Sequence, residues 1–148
     1  MIPTSSVEYV HLPAGSALPA LQNTPRRMVV LIEQDVEADW QAEVSDWIVN
    51  SGCLYMMAWG RECSRWDDSV DMAMLEQFDF GDIPDEREVW TTWHENDTLE
   101  DVFFFCLSCA EHQNIALPTV TILHIAESDR RAEILDVFAK ERAKLAAG

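Results

Sequence analysis

The strongest constraint in this chain is a repeated alternation between short apolar runs and longer stretches with helical spacing. Residues 28–32 read Met-Val-Val-Leu-Ile, residues 53–59 read Cys-Leu-Tyr-Met-Met-Ala-Trp, and residues 119–125 read Thr-Val-Thr-Ile-Leu-His-Ile. Runs this short and continuous fit strands buried on both faces. Residues 89–93, Val-Trp-Thr-Thr-Trp, are β-prone but more polar, which suits a sheet edge or an exposed strand end. Between these runs the apolar residues fall on helical stripes. Trp40, Val44, Trp47 and Ile48 predict a helix over about 36–51, with Asp35 as N-cap and Gly52 as stop. Ser64 to Asp67 form a capping-box-like start to a second helix striped by Val70, Met74, Leu75 and Phe78. Thr98 and Asp101 begin a third, running from Leu99 to about His112. Ser128 caps a fourth that buries Ile134, Leu135 and Phe138.

Strands alternating with helices imply crossover connections and a parallel sheet. The expected fold is α/β: a small four-stranded, mostly parallel sheet flanked by helices in a Rossmann-like three-layer sandwich. With the strands numbered along the chain, the two most apolar lie centrally in the order 3-2-1-4, and 2-1-3-4 is the fallback. Residues 1–27 hold four of the six prolines and read as an extended N-terminal arm, with room for one short strand at 8–12. Residues 28–148 are then a single α/β domain, long enough to bury a core without staples.

Charge separates the function classes. The net charge is −17, and all of that imbalance lies between Glu33 and Asp101, where 20 carboxylates face only Arg61, Arg65 and Arg87. Such a field repels nucleic-acid phosphates and anionic membranes and accelerates encounter with a basic protein surface. No signal-like start and no long apolar span is present, so a cytoplasmic location is expected, with Cys53, Cys63, Cys106 and Cys109 as reduced thiols.

In open parallel sheets ligands bind beyond the carboxyl ends of the strands. Glu33, Gln34 and Asp35, then Arg61 to Asp68, Thr91 to Glu95, and Glu127 to Arg131 stand at those ends. Cys63, Asp67 and His94 are the candidate catalytic groups, with Asp68, Trp66, Trp93 and Glu95 as binding neighbours. Capping alone also accounts for Asp and Ser at helix starts. Arg130 and Arg131 in the first turn of the last helix oppose its dipole, so either an anion sits there or Glu127 and Asp129 neutralise them, the second being preferred. Cys106-x-x-Cys109-x-x-His112 lies within a predicted helix without a second ligand pair and reads as core thiols, and His124 as a satisfied core histidine. The first strand–helix turn has no glycine and three carboxylates, which excludes a dinucleotide or P-loop site. No cofactor and no metal is expected.

Two strings, Ala58-Trp59-Gly60-x-x-Cys63-x-x-Trp66-Asp67-Asp68-x-Val70-Asp71 and Thr91-Thr92-Trp93-His94-Glu95, resemble those of a family of small, acidic, uncharacterised bacterial α/β proteins, over roughly residues 28–135. The resemblance implies a bacterial source and carries over no activity. Two functions follow from the residues themselves. The preferred one is an acidic protein-binding domain, such as an immunity protein or antagonist, that engages a basic partner through its tryptophans. The alternative is a metal-dependent or thiol/His enzyme using the strand-end crevice.

Overall fold

β2 (Arg26–Ile32) is buried along its whole length, and the sheet extends outward from it on both sides. The computed structural model describes residues 1–148. β3 (Cys53–Gly60) pairs with one edge of β2, and β4 (Trp90–His94) lies beyond β3. β5 (Thr119–Ile125) pairs with the other edge of β2, and β1 (Ser6–His11) lies beyond β5. Every pairing is parallel, and the order is β1-β5-β2-β3-β4. The expected four-stranded sheet is therefore corrected to five strands. The order 3-2-1-4 occurs as four consecutive strands, β4-β3-β2-β5, of a larger sheet, and the fallback order does not occur. The added strand comes from the proline-rich arm, where Ser6 lies opposite Thr119 and His11 opposite His124.

Alternate residues of β2 point to opposite faces, and each face has its own core. Met28, Val30 and Ile32 pack with α1 (Ala38–Asn50) and α2 (Cys63–Gln77). Val29 and Leu31 pack with α3 (Leu99–Ser108) and α4 (Arg131–Ala147). The segment between β1 and β2 lies against α1, where the Trp40 and Trp47 indoles donate to the carbonyls of Ser16 at 3.0 Å and Pro19 at 2.8 Å. No helix is long and apolar enough to cross a membrane.

The helix ends depart from the expected caps in informative ways. Thr98 and Asp101 do form a reciprocal capping box on α3. Gly52 follows the end of α1 at φ +85°, with Thr24 so close that a Cβ would lie 2.2 Å from its carbonyl oxygen. By contrast Glu37, not Asp35, precedes α1, and Arg130, not Ser128, precedes α4. α2 also starts earlier than expected, at Cys63, because Gly60 (φ +104°) and Glu62 (φ +53°) turn the chain sharply after β3. Ser64 and Asp67 thus lie inside the helix and cap nothing. α3 stops at Ser108, which leaves His112 outside it. There the His112 ring nitrogens lie 2.9 Å from the Glu88 carbonyl oxygen and 3.1 Å from that of Gln113, and the neutral ring donates to one of them.

The least conventional feature of the core is a pair of arginines at the start of β2. Arg26 is 2% exposed and Arg27 0%. Arg26 donates to the carbonyl of Ser51 at 3.0 Å and to Thr121 Oγ1 at 2.7 Å, and it pairs with Glu8 of β1. Arg27 faces the other side and has no carboxylate partner. Its guanidinium donates to the carbonyls of Leu117 at 3.1 Å, Cys106 at 2.8 Å and Pro3 at 3.3 Å, and to Thr4 Oγ1 at 2.5 Å. Burial lowers its basicity. Replacing Arg27 by Met would leave these acceptors without donors, and is expected to cost about 3–5 kcal/mol in urea unfolding. Hydrogen exchange should show amides 2–7 losing protection first; a loss below about 1 kcal/mol would contradict this role.

Candidate functional site

Because the sheet is parallel, all five C-terminal strand ends lie along one side of it. β2 leads to α1 on one face, whereas β5 leads to α4 on the other. Ligands of open α/β sheets occupy the crevice where such loops diverge. Here a chain of side chains spans that point. His124 is fully enclosed; its Nε2 lies 2.9 Å from Glu33 Oε2 and its Nδ1 2.6 Å from Tyr9 Oη. A carboxylate only accepts, so Nε2 carries the proton and Nδ1 accepts the Tyr9 hydroxyl. The Tyr9 oxygen accepts the Arg130 amide at 3.2 Å, and the Arg130 guanidinium closes the array on Glu33.

The electrostatics of this array are internally balanced. Burial pushes the Glu33 carboxyl up, but bonds from Arg130 and His124 outweigh it and hold the group below the usual carboxylate range. Burial lowers His124 against the pull of Glu33. Burial also raises Tyr9. The neutralisation expected for Arg130 therefore comes from Glu33, with Glu133 at 3.5 Å, and not from Glu127. Arg131 donates to the Tyr9 carbonyl at 3.0 Å and lies over the Tyr9 ring, while Asp129 accepts its backbone N–H at 2.8 Å. Tyr9 was not among the residues singled out from the sequence. Tyr9 and His124 stand 115 positions apart, so no local spacing reveals the pair.

The other expected site residues are divided by the sheet. Cys63 belongs to the core beneath α1 and α2 and contacts His94 only through that residue's backbone, and burial pushes its thiol up. The His94 ring points to the α3 face, 4.7 Å from the Phe105 ring, with Thr92 Oγ1 at 2.8 Å and Asp97 Oδ2 at 3.3 Å. Burial lowers its basicity, with Asp97 opposing. The thiol and imidazole thus make no pair. Nowhere do three His, Cys, Asp or Glu side chains come close enough to hold a metal ion. Of the thiols in the Cys-x-x-Cys-x-x-His string, Cys106 is core and Cys109 exposed. Trp66 is a core residue, packed edge-on against Trp40, while Asp68 and Glu95 are exposed.

β4 presents the remaining candidates. It is an edge strand whose outer side pairs with nothing. Trp90 is 46% and Trp93 53% exposed, and the two lie on opposite faces of the strand. Trp93 shares the α2 face with Thr91, and Trp90 the α3 face with His94.

A family model described as a domain of unknown function (DUF7684) matches residues 7–141. The chain belongs to the DUF7684 family. No curated protein and no solved structure matches it. The span matched to DUF7684 runs from β1 into α4 and so contains Tyr9, the strand-end array and the whole of β4.

One group on the α2 side of β4 stands apart electrostatically. Asp67 is 5% exposed, and its Oδ2 is buried without any hydrogen-bond partner. Burial first, then the neighbouring charge of Asp71, pushes its pKa up to about 6 from an ordinary 3.8. A carboxyl held higher in the folded state stabilises fully below about pH 4, and that contribution is lost as pH rises through 6. Asp67→Asn is therefore expected to stabilise the protein at pH 7.5 by on the order of 2 kcal/mol, and by little at pH 4. Paired thermal melts of the two proteins across that range test it. A difference that ignores pH would show that Asp67 does not titrate in this window.

Proposed function

We propose that this chain is an acidic protein-binding module that engages a basic partner surface through the β4 edge, as an immunity protein or antagonist would. The observation that carries the reading is the pair of half-exposed tryptophans on an unpaired edge strand set among carboxylates. Asp82, Asp85, Glu86 and Glu88 lead into the strand, Glu95 and Asp97 leave it, and Asp68 and Asp71 lie on the neighbouring helix. The one arginine in this stretch, Arg87, is already engaged 5.2 Å from the Phe78 ring centre. Aromatic anchors ringed by charge of one sign give a partner both a contact and a steering field. We place the module in the bacterial cytoplasm, where its thiols stay reduced, and regard its layering as Rossmann-like with an added edge strand.

The enzymatic alternative has less to build on. Cys63 and His94 face opposite sides of the sheet, and the Tyr9–His124–Glu33–Arg130 array is satisfied within itself.

With a partner recovered from host extract and purified, stopped-flow kinetics test the binding reading. The on-rate should fall at least tenfold as the Debye length shrinks from about 10 Å at 0.1 M salt to about 3 Å at 1 M. Reversing Asp82, Asp85, Glu86 and Glu88 to Lys should slow association more than it speeds dissociation. Trp93→Ala should mainly speed dissociation. An on-rate indifferent to both salt and charge reversal would make the acid a solubility feature and remove the reading's support.

A further inference from the structure

The carboxylates of α2 and the tryptophan of β4 meet at one level of the molecule. Thr91 Oγ1 donates to Asp71 Oδ1 at 2.7 Å, which fixes the register between helix and strand. α2 enters from the C-terminal end of the sheet, where Cys63 lies by the His94 backbone, so it runs opposite to β4. One turn back from Asp71 to Asp67 rises about 6 Å, and the two-residue step from Thr91 to Trp93 about 6.6 Å. Asp67 thus stands level with Trp93, on the same face of the sheet. Its buried Oδ2 has no partner, Asp68 beside it is exposed, and Asp71 is half-buried.

We propose that Asp67, Asp68 and Asp71, with Trp93, form a socket for an arginine side chain carried on an extended segment of the partner. The proposal rests on the edge-strand reading above and names the chemistry that edge selects. A buried carboxylate oxygen without a donor is a standing deficit that an arriving N–H removes. A guanidinium suits the place better than an ammonium. It is planar, presents paired donors to carboxylates and stacks on an indole face, whereas lysine offers a point charge. A partner segment adding to the free edge of β4 supplies the main-chain bonds and sets its side chains alternately on the two faces, so that a residue beside Trp93 and another three positions along, beside Trp90, lie on opposite faces. A second copy of this chain is a poor occupant, because two molecules of net charge −17 would bring carboxylates against carboxylates. The carboxylates do not close on a single point as a metal ion requires, whereas a guanidinium spreads five donors over its plane and can meet them separately.

The test uses the full chain and three acetylated seven-residue peptides of alternating Val and Thr, identical except for arginine, lysine or citrulline at the centre. Citrulline keeps the shape of arginine without its charge. Binding is followed by NMR at the backbone amides of 90–94 and at the Trp93 indole N–H. The arginine peptide is expected to bind at least about tenfold more tightly than citrulline and a few-fold more tightly than lysine. Asp67→Asn and Asp71→Asn should each cut the arginine-over-citrulline preference to about threefold or less, while Asp136→Asn on α4 leaves it unchanged. Because Asp67→Asn is expected to be more stable than the parent, lost preference cannot be put down to unfolding. Shifts at 90–94 that are equal for arginine and citrulline would overturn the socket while leaving the edge reading intact. If no peptide shifts those amides at millimolar concentration, both fall.

Discussion

Burying a guanidinium costs several kcal/mol unless its donors all find acceptors, and the foot of β2 meets that demand twice. Arg27 is the more demanding case because no carboxylate shares its burial. Its acceptors come from three separate places: the N-terminal arm at Pro3 and Thr4, the last turn of α3 at Cys106, and the approach to β5 at Leu117. The carbonyls of a last helical turn carry partial negative charge, so the contact with α3 is favourable beyond its single hydrogen bond. Arg26 performs the same office on the opposite face, joining β1 through Glu8, β5 through Thr121 and the end of α1 through Ser51. Two adjacent residues on one strand thereby tie both helical layers and the outermost strand to the centre of the sheet.

That arrangement explains why the order of four strands was legible from the sequence, whereas the short strand at 8–12 was read as part of an arm and its place in the sheet was not. The runs at Met28, Cys53 and Thr119 are apolar because those strands are covered on both faces, and coverage is what a hydrophobic pattern records. β1 pairs with β5 through its main chain and is tied to β2 by residues that look like those of a loop. Glu8 is there to meet Arg26, and Pro3 and Thr4 to meet Arg27. Arg26 and Arg27 themselves read as the polar end of an arm when their acceptors are unseen. The helix starts show the same limit. The Thr98–Asp101 box is a local exchange of two hydrogen bonds, visible in four residues. The start of α2 is set by the left-handed turn at Gly60 and Glu62, packed so tightly that a Cβ on Gly60 would lie 2.2 Å from the Ile32 carbonyl oxygen. Of the candidate site, the strand-end placement of Glu33, His94 and Arg130 was legible. The side of the sheet each would face was not, because that depends on strand register.

Topology converts the uneven charge along the chain into uneven charge in space. The acidic stretch from Glu33 to Asp101 builds α1, β3, α2, β4 and the start of α3, which together form the β3–β4 half of the sheet and the helices over it. The basic residues of the flanks belong to the start of β2 and to α4 with its cap, and all five arginines among them are engaged within the molecule: Arg26, Arg27, Arg130, Arg131 and Arg142, the last donating to the Thr4 carbonyl at 2.6 Å. What remains on the β4 side is a surface on which carboxylates far outnumber the exposed Arg61 and Arg65. An edge strand is commonly shielded from further pairing by its charges. Here that shielding is selective, because carboxylates repel another acidic chain and attract a basic one.

Arg27 and Asp67 stand in contrast. Both are buried charged side chains on regular elements, and the fold treats them oppositely. Around Arg27 it gathers carbonyls from three distant segments, so the guanidinium is satisfied in the isolated protein. Around Asp67 it places Asp71 and Asp68, groups of the same charge, and leaves Oδ2 without a donor. Nothing in the packing of α2 against β4 requires a carboxyl at that position; the neighbouring Val70, Ala73 and Met74 supply the apolar contacts of the helix. An unsatisfied carboxylate destabilises the free protein at neutral pH by an amount that a donor from outside would return, and the half-exposed Trp93 stands level with it. Under the binding reading, the strain of the unbound edge is therefore the source of its selectivity: a partner gains affinity in proportion to how well it supplies the donors that the fold withholds from Asp67.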